Sequence, residues 1–360
     1  MDRECIRYYG NKSLYSIFKS IKDNEWKYYR SAYVDDIITC FDDTTNCDNS
    51  NSKKMIIEYI NAGGKVGVFN PIIDDIKKIG IDYKLPISNM RCAHSLSVFL
   101  LGIVIYKVLK RKKRILNWYG DNYNSGLYVW YLTCLFHDIG YYYENNEIEL
   151  DKSIINGCKH LNNYDLGLNY YNYRKNVASD YNGIDHGVCG GFLLFNELNN
   201  IFHNHNDNEE LCYDDDVKKL YKIAAEAIVR HNMYVPNTDS QKNQYRELGL
   251  NDLIDSKIQY NMNNPFAFLL CLCDTLEPIK KASFFNLKYN YSFAEVLKKV
   301  KICMCDYPHC LDTNFCIKYS VPFQSIGDLY NSIGVDELEK WLGVKVSHNT
   351  DCDLSLKISF

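Results

Sequence analysis

The run Leu127-Tyr128-Val129-Trp130-Tyr131-Leu132-Thr133-Cys134-Leu135-Phe136 is apolar almost throughout and ends on His137-Asp138-Ile139-Gly140. A helix that is apolar on every side has to lie inside a protein, with other elements packed around it. This one carries a histidine and an aspartate into the interior at its C-terminal end. A buried carboxylate is costly unless something positive meets it. The run therefore predicts a helical core with a charged group at its centre, and the other helices have to supply that group's partners.

Four further stretches do so at helical spacing. A helix from about Arg91 to Leu116 aligns His94, Val98, Leu101 and Ile105 on one face. Its far end, Lys107 to Arg114, is basic, which suits the partial negative charge of a helix C-terminus. His186 opens another helix, with Asp185 as its N-cap and Gly190-Gly191 allowing a close approach by another backbone or a ligand. Asp214-Asp215-Asp216 precedes a helix from about 217, whose stripe Val217, Leu220, Ala224, Ile228 ends at His231. The last starts near Pro265 and repeats Phe266, Leu270, Asp274 and Glu277 along one face. Between His137 and His186, residues 144–184 read as a long polar excursion rich in Tyr and Asn with a short helix or two, of a length usual for functional lids or partly disordered segments.

Three segments follow from this pattern: an N-terminal helical extension at 1–85, a helical core at 86–284, and a small α+β extension at 285–360. The first contains a polar loop at 42–54 and a short helix at Met55–Ile60 stopped by Ala62-Gly63-Gly64, a stretch without P-loop spacing. In the last, Phe315–Val321 and Leu354–Phe360 alternate as strands and Val335–Leu342 reads as a helix. The fold class expected is mainly α. No apolar run reaches the roughly 20 residues of a membrane span. Fifteen scattered cysteines and the absence of an apolar leader at Met1 point to a reducing cytoplasm. Cys303, Cys305, His309 and Cys310 fit no common zinc knuckle and read as strand cysteines beside a Tyr-Pro turn, with zinc binding as the alternative.

His94, His137, His186, His231 and Asp274 are spaced 43 to 49 residues apart, one per helix, and the other five of the nine histidines sit in polar contexts. With Asp138 they make six donors, too many for a catalytic zinc and suited to two octahedral ions of iron or manganese type, with Mg, Ni or Co as alternatives. A carboxylate beside a histidine can bridge two ions, and such a pair serves phosphoester hydrolysis well.

The order His…His-Asp…His…His…Asp on successive helices resembles the HD-domain metal-dependent phosphohydrolase superfamily. Arg91-Cys92-Ala93-His94-Ser95-Leu96-Ser97-Val98 resembles its opening motif and Leu135-Phe136-His137-Asp138-Ile139-Gly140 its central one. Ile228-Val229-Arg230-His231-Asn232 and Leu272-Cys273-Asp274-Thr275-Leu276 resemble the later ones. The resemblance covers roughly 86–284 and implies an all-helical core. It implies that His94, His137, Asp138 and Asp274 hold one ion and that Asp138, His186 and His231 hold a second, with Asp138 bridging and a metal-bound hydroxide as nucleophile. Arg91 stands where some relatives contact a substrate phosphate.

Many relatives have a lysine after His-Asp-Ile-Gly, whereas this chain has Tyr141. Arg230, Lys280, Lys281 and the basic helix end are the substitutes, and Tyr141 and Glu144 are pocket candidates. The substrate expected is a small phosphorylated molecule, a nucleotide, cyclic or not. The formal net charge of −4 makes nucleic acid the lesser alternative. A mixed-valence di-iron oxygenase of the same superfamily and a nucleotide-sensing module without turnover are the competing readings.

Overall fold

The structure is a computed structural model and describes residues 7–8, 12–21, 38, 40–42, 89–111, 123–177, 183–206, 215–254, 264–305, 314–350 and 353–359. The helix expected at Met55–Ile60, the Gly63-Gly64 stop, nearly all of the 42–54 loop, Asp214, His309 and Cys310 lie outside them.

In chain order the elements are β1 (Arg7–Tyr8), α1 (Leu14–Lys19), α2 (Asn89–Arg111), α3 (Tyr123–Phe136), α4 (Tyr141–Asn145), α5 (Lys152–Gly157), α6 (Tyr164–Asn176), α7 (His186–Asn206), α8 (Asp215–Arg230), α9 (Asp239–Glu247), α10 (Pro265–Leu276), α11 (Phe293–Lys298), β2 (Val300–Cys305), β3 (Asn314–Tyr319), α12 (Ile326–Ile333), α13 (Val335–Leu342), β4 (Lys345–Asn349) and β5 (Leu354–Ser359). The fold is mainly α with a small α+β portion near the C-terminus, as the sequence indicates. Among the described residues no helix is long and apolar enough to cross a membrane.

Packing divides the chain into two compact units. One comprises Met1–Lys65, Ser88–Ile115 and Leu272–Phe360, the other Val66–Ile87 and Leu116–Cys271. In the second, α3 is buried from Val129 to Phe136, as its composition requires. Burial of Trp130, Leu132, Leu135 and Phe136 stabilises by roughly 1.5–3 kcal/mol each. Helices α7 and α8 lie backbone to backbone at Gly191, where a Cβ would strike the Ala225 carbonyl and the Val229 side chain. Of the two uses open to the Gly190-Gly191 pair, Gly191 serves a neighbouring backbone.

The segment read as a polar excursion is packed. It forms α5 and α6, and Leu150, Leu161, Leu166, Tyr170, Tyr171 and Tyr173 join one core cluster with Phe192 and Val229. The difference lies in tyrosine, an apolar ring with a polar tip. Two of the buried tips show how the polar end is satisfied: Tyr171 Oη accepts from the Leu150 amide at 3.2 Å, and Tyr170 Oη donates to the Asn232 carbonyl at 3.3 Å.

In the first unit, α2 is buried from Ala93 to Tyr106. The sheet there is antiparallel in the order β1-β2-β3-β5-β4. Its core face carries Ile302, Ile317 and Leu356 in direct register, all buried, and its other face carries Lys301, Cys303, Cys316, Lys318 and Lys357.

Candidate metal centre

In the unit formed by Val66–Ile87 and Leu116–Cys271, three turns deliver the donors. Helix α3 stops at Phe136, and His137 to Gly140 turn away from it, with the Tyr141 amide bonded to the Asp138 carbonyl at 3.1 Å. Gly140 is required there, because a Cβ would collide with the His186 carbonyl at the start of α7. Asp185 caps α7, its Oδ1 accepting from the Val188 amide at 2.9 Å, which sets His186 at the first helical position. His231 follows the last residue of α8 and bonds back through its amide to the Ile228 carbonyl at 3.3 Å.

His137, Asp138, His186 and His231 are all buried, none more than 5 % exposed. One ligand atom each from Asp138, His186 and His231 lie within 4.8 Å of one another. Atoms bound to one ion at about 2.1 Å stand roughly 3–4 Å apart, so a small inward shift closes this triad on a cation. His137 Nε2 is 3.2 Å from Asp138 Oδ1. The His231 ring meets those of His137 and His186 edge-on, with centroids 5.6 and 5.2 Å apart.

The far side of each ring fixes its tautomer. His137 Nδ1 donates to the Cys134 carbonyl at 2.8 Å, and His231 Nδ1 donates to the Ile228 carbonyl at 2.6 Å. A carbonyl oxygen only accepts, so both Nδ1 atoms carry hydrogen, and in the neutral ring Nε2 is then the nitrogen with the lone pair. His186 Nδ1 faces Glu144 Oε2 at 2.7 Å, a carboxylate doing the same work. Glu144 is steadied by Arg174, whose other arm holds Asp185 at 3.2 Å, and Asn232 Nδ2 donates to Asp185 at 2.8 Å. Burial lifts the Asp185 carboxyl above its ordinary value, against the pull of His186 and Arg174. Tyr141 stacks on the His186 ring with centroids 3.8 Å apart.

The other unit holds a second group. His94 on α2 is fully buried; its Nε2 lies 2.8 Å from Asp274 Oδ1 and its Nδ1 lies 2.7 Å from Glu277 Oε2. Glu277 also accepts from the amides of Ile279 and Lys280 at 2.8 and 3.2 Å, closing the turn after α10. Two carboxylates flanking one imidazole call for positive charge, and Lys280 Nζ supplies some at 2.8 Å from Asp274 Oδ1.

The remaining predicted residues are dispersed. Lys281 is buried, with Nζ turned back to the Glu277 carbonyl at 3.3 Å, and burial pulls its pKa down to about 8. Arg91 is half-buried one turn before His94. Arg230 ends α8 half-buried, its Nε without an acceptor among the described residues, and burial pulls its pKa below the ordinary arginine value. In the basic run from Lys107 to Arg114, only the helix backbone up to Arg111 is described.

Sequence reasoning placed Glu277 on the face of Asp274 but gave it no role, and it gave Arg174 and Asn232 none either. Asn232 adjoins His231 and Glu277 stands one turn after Asp274, which is the one local signal either carries.

The buried histidines and Asp138 are thus compatible with a metal site, and the acceptors behind the His137, His186 and His231 rings suit a cation. Comparison with known proteins gave no match: no family model, curated protein or solved structure aligns significantly with the chain.

Proposed function

We propose that this chain is a metal-dependent phosphohydrolase that cleaves a phosphoester or phosphodiester bond in a nucleotide. The observation that carries the reading is the tautomer lock: the Nδ1 atoms of His137, His186 and His231 are all engaged by acceptors, which leaves Nε2 as the donor of each ring. A core histidine placed for packing alone has no need of that uniformity. The second support is the order of the six donors and its resemblance to the HD superfamily.

In this reading His137, Asp138, His186 and His231 share one centre with His94 and Asp274. That pooling rests on the sequence pattern. Ions held there would supply charge to polarise a phosphoryl oxygen and to make water nucleophilic at neutral pH. The chain's own part is to orient the rings, hold the Asp138 carboxylate between two histidines, and present cations to the phosphate. Lys280 and Arg91 are the side chains offered for that last task, and Lys280 has to exchange its bond to Asp274 for one to substrate. With a formal net charge of −4, the chain favours a small nucleotide over a long polymer, which usually needs a broad basic track.

The test is elemental analysis of the purified protein, followed by hydrolysis of a generic phosphodiester and a nucleotide panel with added Mn²⁺. The expected result is bound metal and a product that Asp138→Asn fails to make. Equal, slow hydrolysis by wild type and variant, with no nucleotide cleaved, overturns the reading.

A further inference from the structure

A second reactive group lies in the C-terminal sheet. Strands β2 and β3 are antiparallel, and their register sets the Cα of Cys303 directly opposite that of Cys316. Directly opposed residues in such a ladder have Cα atoms about 4.5 or 5.5 Å apart, depending on the type of pair. Both separations fall inside the range a disulfide spans, roughly 4.4–6.8 Å. The flanking residues Ile302, Phe315 and Ile317 are buried in the core, so by alternation the two cysteines share the other face.

We propose that Cys303 and Cys316 form a redox-active dithiol that a peroxide converts into an intrachain disulfide. Two further observations favour this pair. Both cysteines are half-buried thiols, whereas Cys134, Cys158, Cys189, Cys271 and Cys273 are buried. Burial pushes the Cys158 thiol up to about 12, which makes it a poor nucleophile at neutral pH. Cys305, two residues along β2, is a weaker competitor. Its Cα partner is Arg7, not a cysteine, whereas Cys316 faces Cys303 directly.

The chemistry balances with one equivalent of hydrogen peroxide. The thiolate of one cysteine attacks a peroxide oxygen, the O–O bond breaks, and water leaves a sulfenic acid behind. The second thiolate then attacks that sulfur and expels a second water. Two thiols are oxidised by two electrons in all, two protons end in water, and the S–S bond joins β2 to β3 across the hairpin.

The experiment treats the full-length protein with hydrogen peroxide, blocks remaining thiols, digests without reductant and maps linked peptides by mass spectrometry. The expected result is a Cys303–Cys316 linked peptide, two hydrogens lighter than the sum of its parts, that disappears on reduction. It should form at lower peroxide than any adduct of Cys134, Cys158, Cys189, Cys271 or Cys273. Cys303→Ser and Cys316→Ser should each abolish it, with folding checked by circular dichroism. The wild-type map decides alone if a variant fails to fold. Oxidation of Cys303 to sulfinic acid without a link, or links that join it to another cysteine instead, overturns the proposal.

Discussion

Glu277 Oε2 stands 2.7 Å from His94 Nδ1, and both side chains are fully buried. The same carboxylate closes the backbone turn after α10 by accepting from the amides of Ile279 and Lys280. Glu277→Ala leaves an imidazole nitrogen and two amides without their acceptor, at a cost of about 3 kcal/mol or more. Glu277→Gln keeps an amide oxygen for the turn and should lose less. Thermal unfolding of the two variants beside wild type checks this; equal melting of Glu277→Ala and wild type contradicts it.

Glu144 does for His186 what Glu277 does for His94, but from a half-exposed position on the five-residue helix α4. A carboxylate behind a metal-binding imidazole sets its orientation, and its loss commonly weakens metal affinity about 10–100-fold. Glu144→Ala should show that loss in a calorimetric Mn²⁺ titration, with little change in fold, because Arg174 keeps Asp185. Unchanged affinity means that His186 is held by packing against Tyr141 instead.

The helices that carry donors were legible because their apolar stripes are long and regular. Val129 to Phe136 on α3 and Phe266 to Cys273 on α10 are buried as their composition demands. The strands at Asn314–Tyr319 and Leu354–Ser359 and the helix at Val335–Leu342 followed from alternation and period in the same way. Strand β4 did not. Lys345-Val346-Ser347-His348-Asn349 lies on the sheet edge, largely exposed, so it has little apolar face to display. The short helices of the 144–184 segment were legible, but its packing was not, because tyrosine scores as polar while its ring packs. The partners of the donor histidines were the least legible part. Glu144 lies 42 residues from His186 and Glu277 lies 183 from His94, and such pairings are set by tertiary contact alone.

Gly140 and Gly327 should respond in opposite senses to alanine. At Gly140 the added Cβ meets backbone, the His186 carbonyl and the Gly190 amide, which cannot yield without moving α7 away from the turn that carries His137 and Asp138. Gly140→Ala should cost several kcal/mol and reduce metal binding with it. Gly327 lies exposed in α12, where an added Cβ would meet nothing within 4 Å, so alanine there gains helix propensity of about 0.5–1 kcal/mol. Denaturant midpoints of both variants test the contrast.

Lys281 gives the chain a pH dependence with a definite sign. Burial holds its pKa down at about 8, against an ordinary lysine value of 10.5, despite the pull of Glu277 and Asp274. Between those values the unfolded chain binds a proton that the folded chain does not, so stability rises with pH across that window. Below about pH 8 both states hold the proton, and the cost of a buried ammonium, on the order of 3 kcal/mol, is present in full. Tyrosines and cysteines elsewhere titrate in the same range, so the informative quantity is the difference from Lys281→Met. That variant should be the more stable at pH 7, and its lead should shrink steadily toward pH 10. Urea unfolding of both proteins at pH 7, 8, 9 and 10 measures it. A lead that is constant with pH would mean that Lys281 is charged in the fold throughout and well compensated by the Glu277 carbonyl.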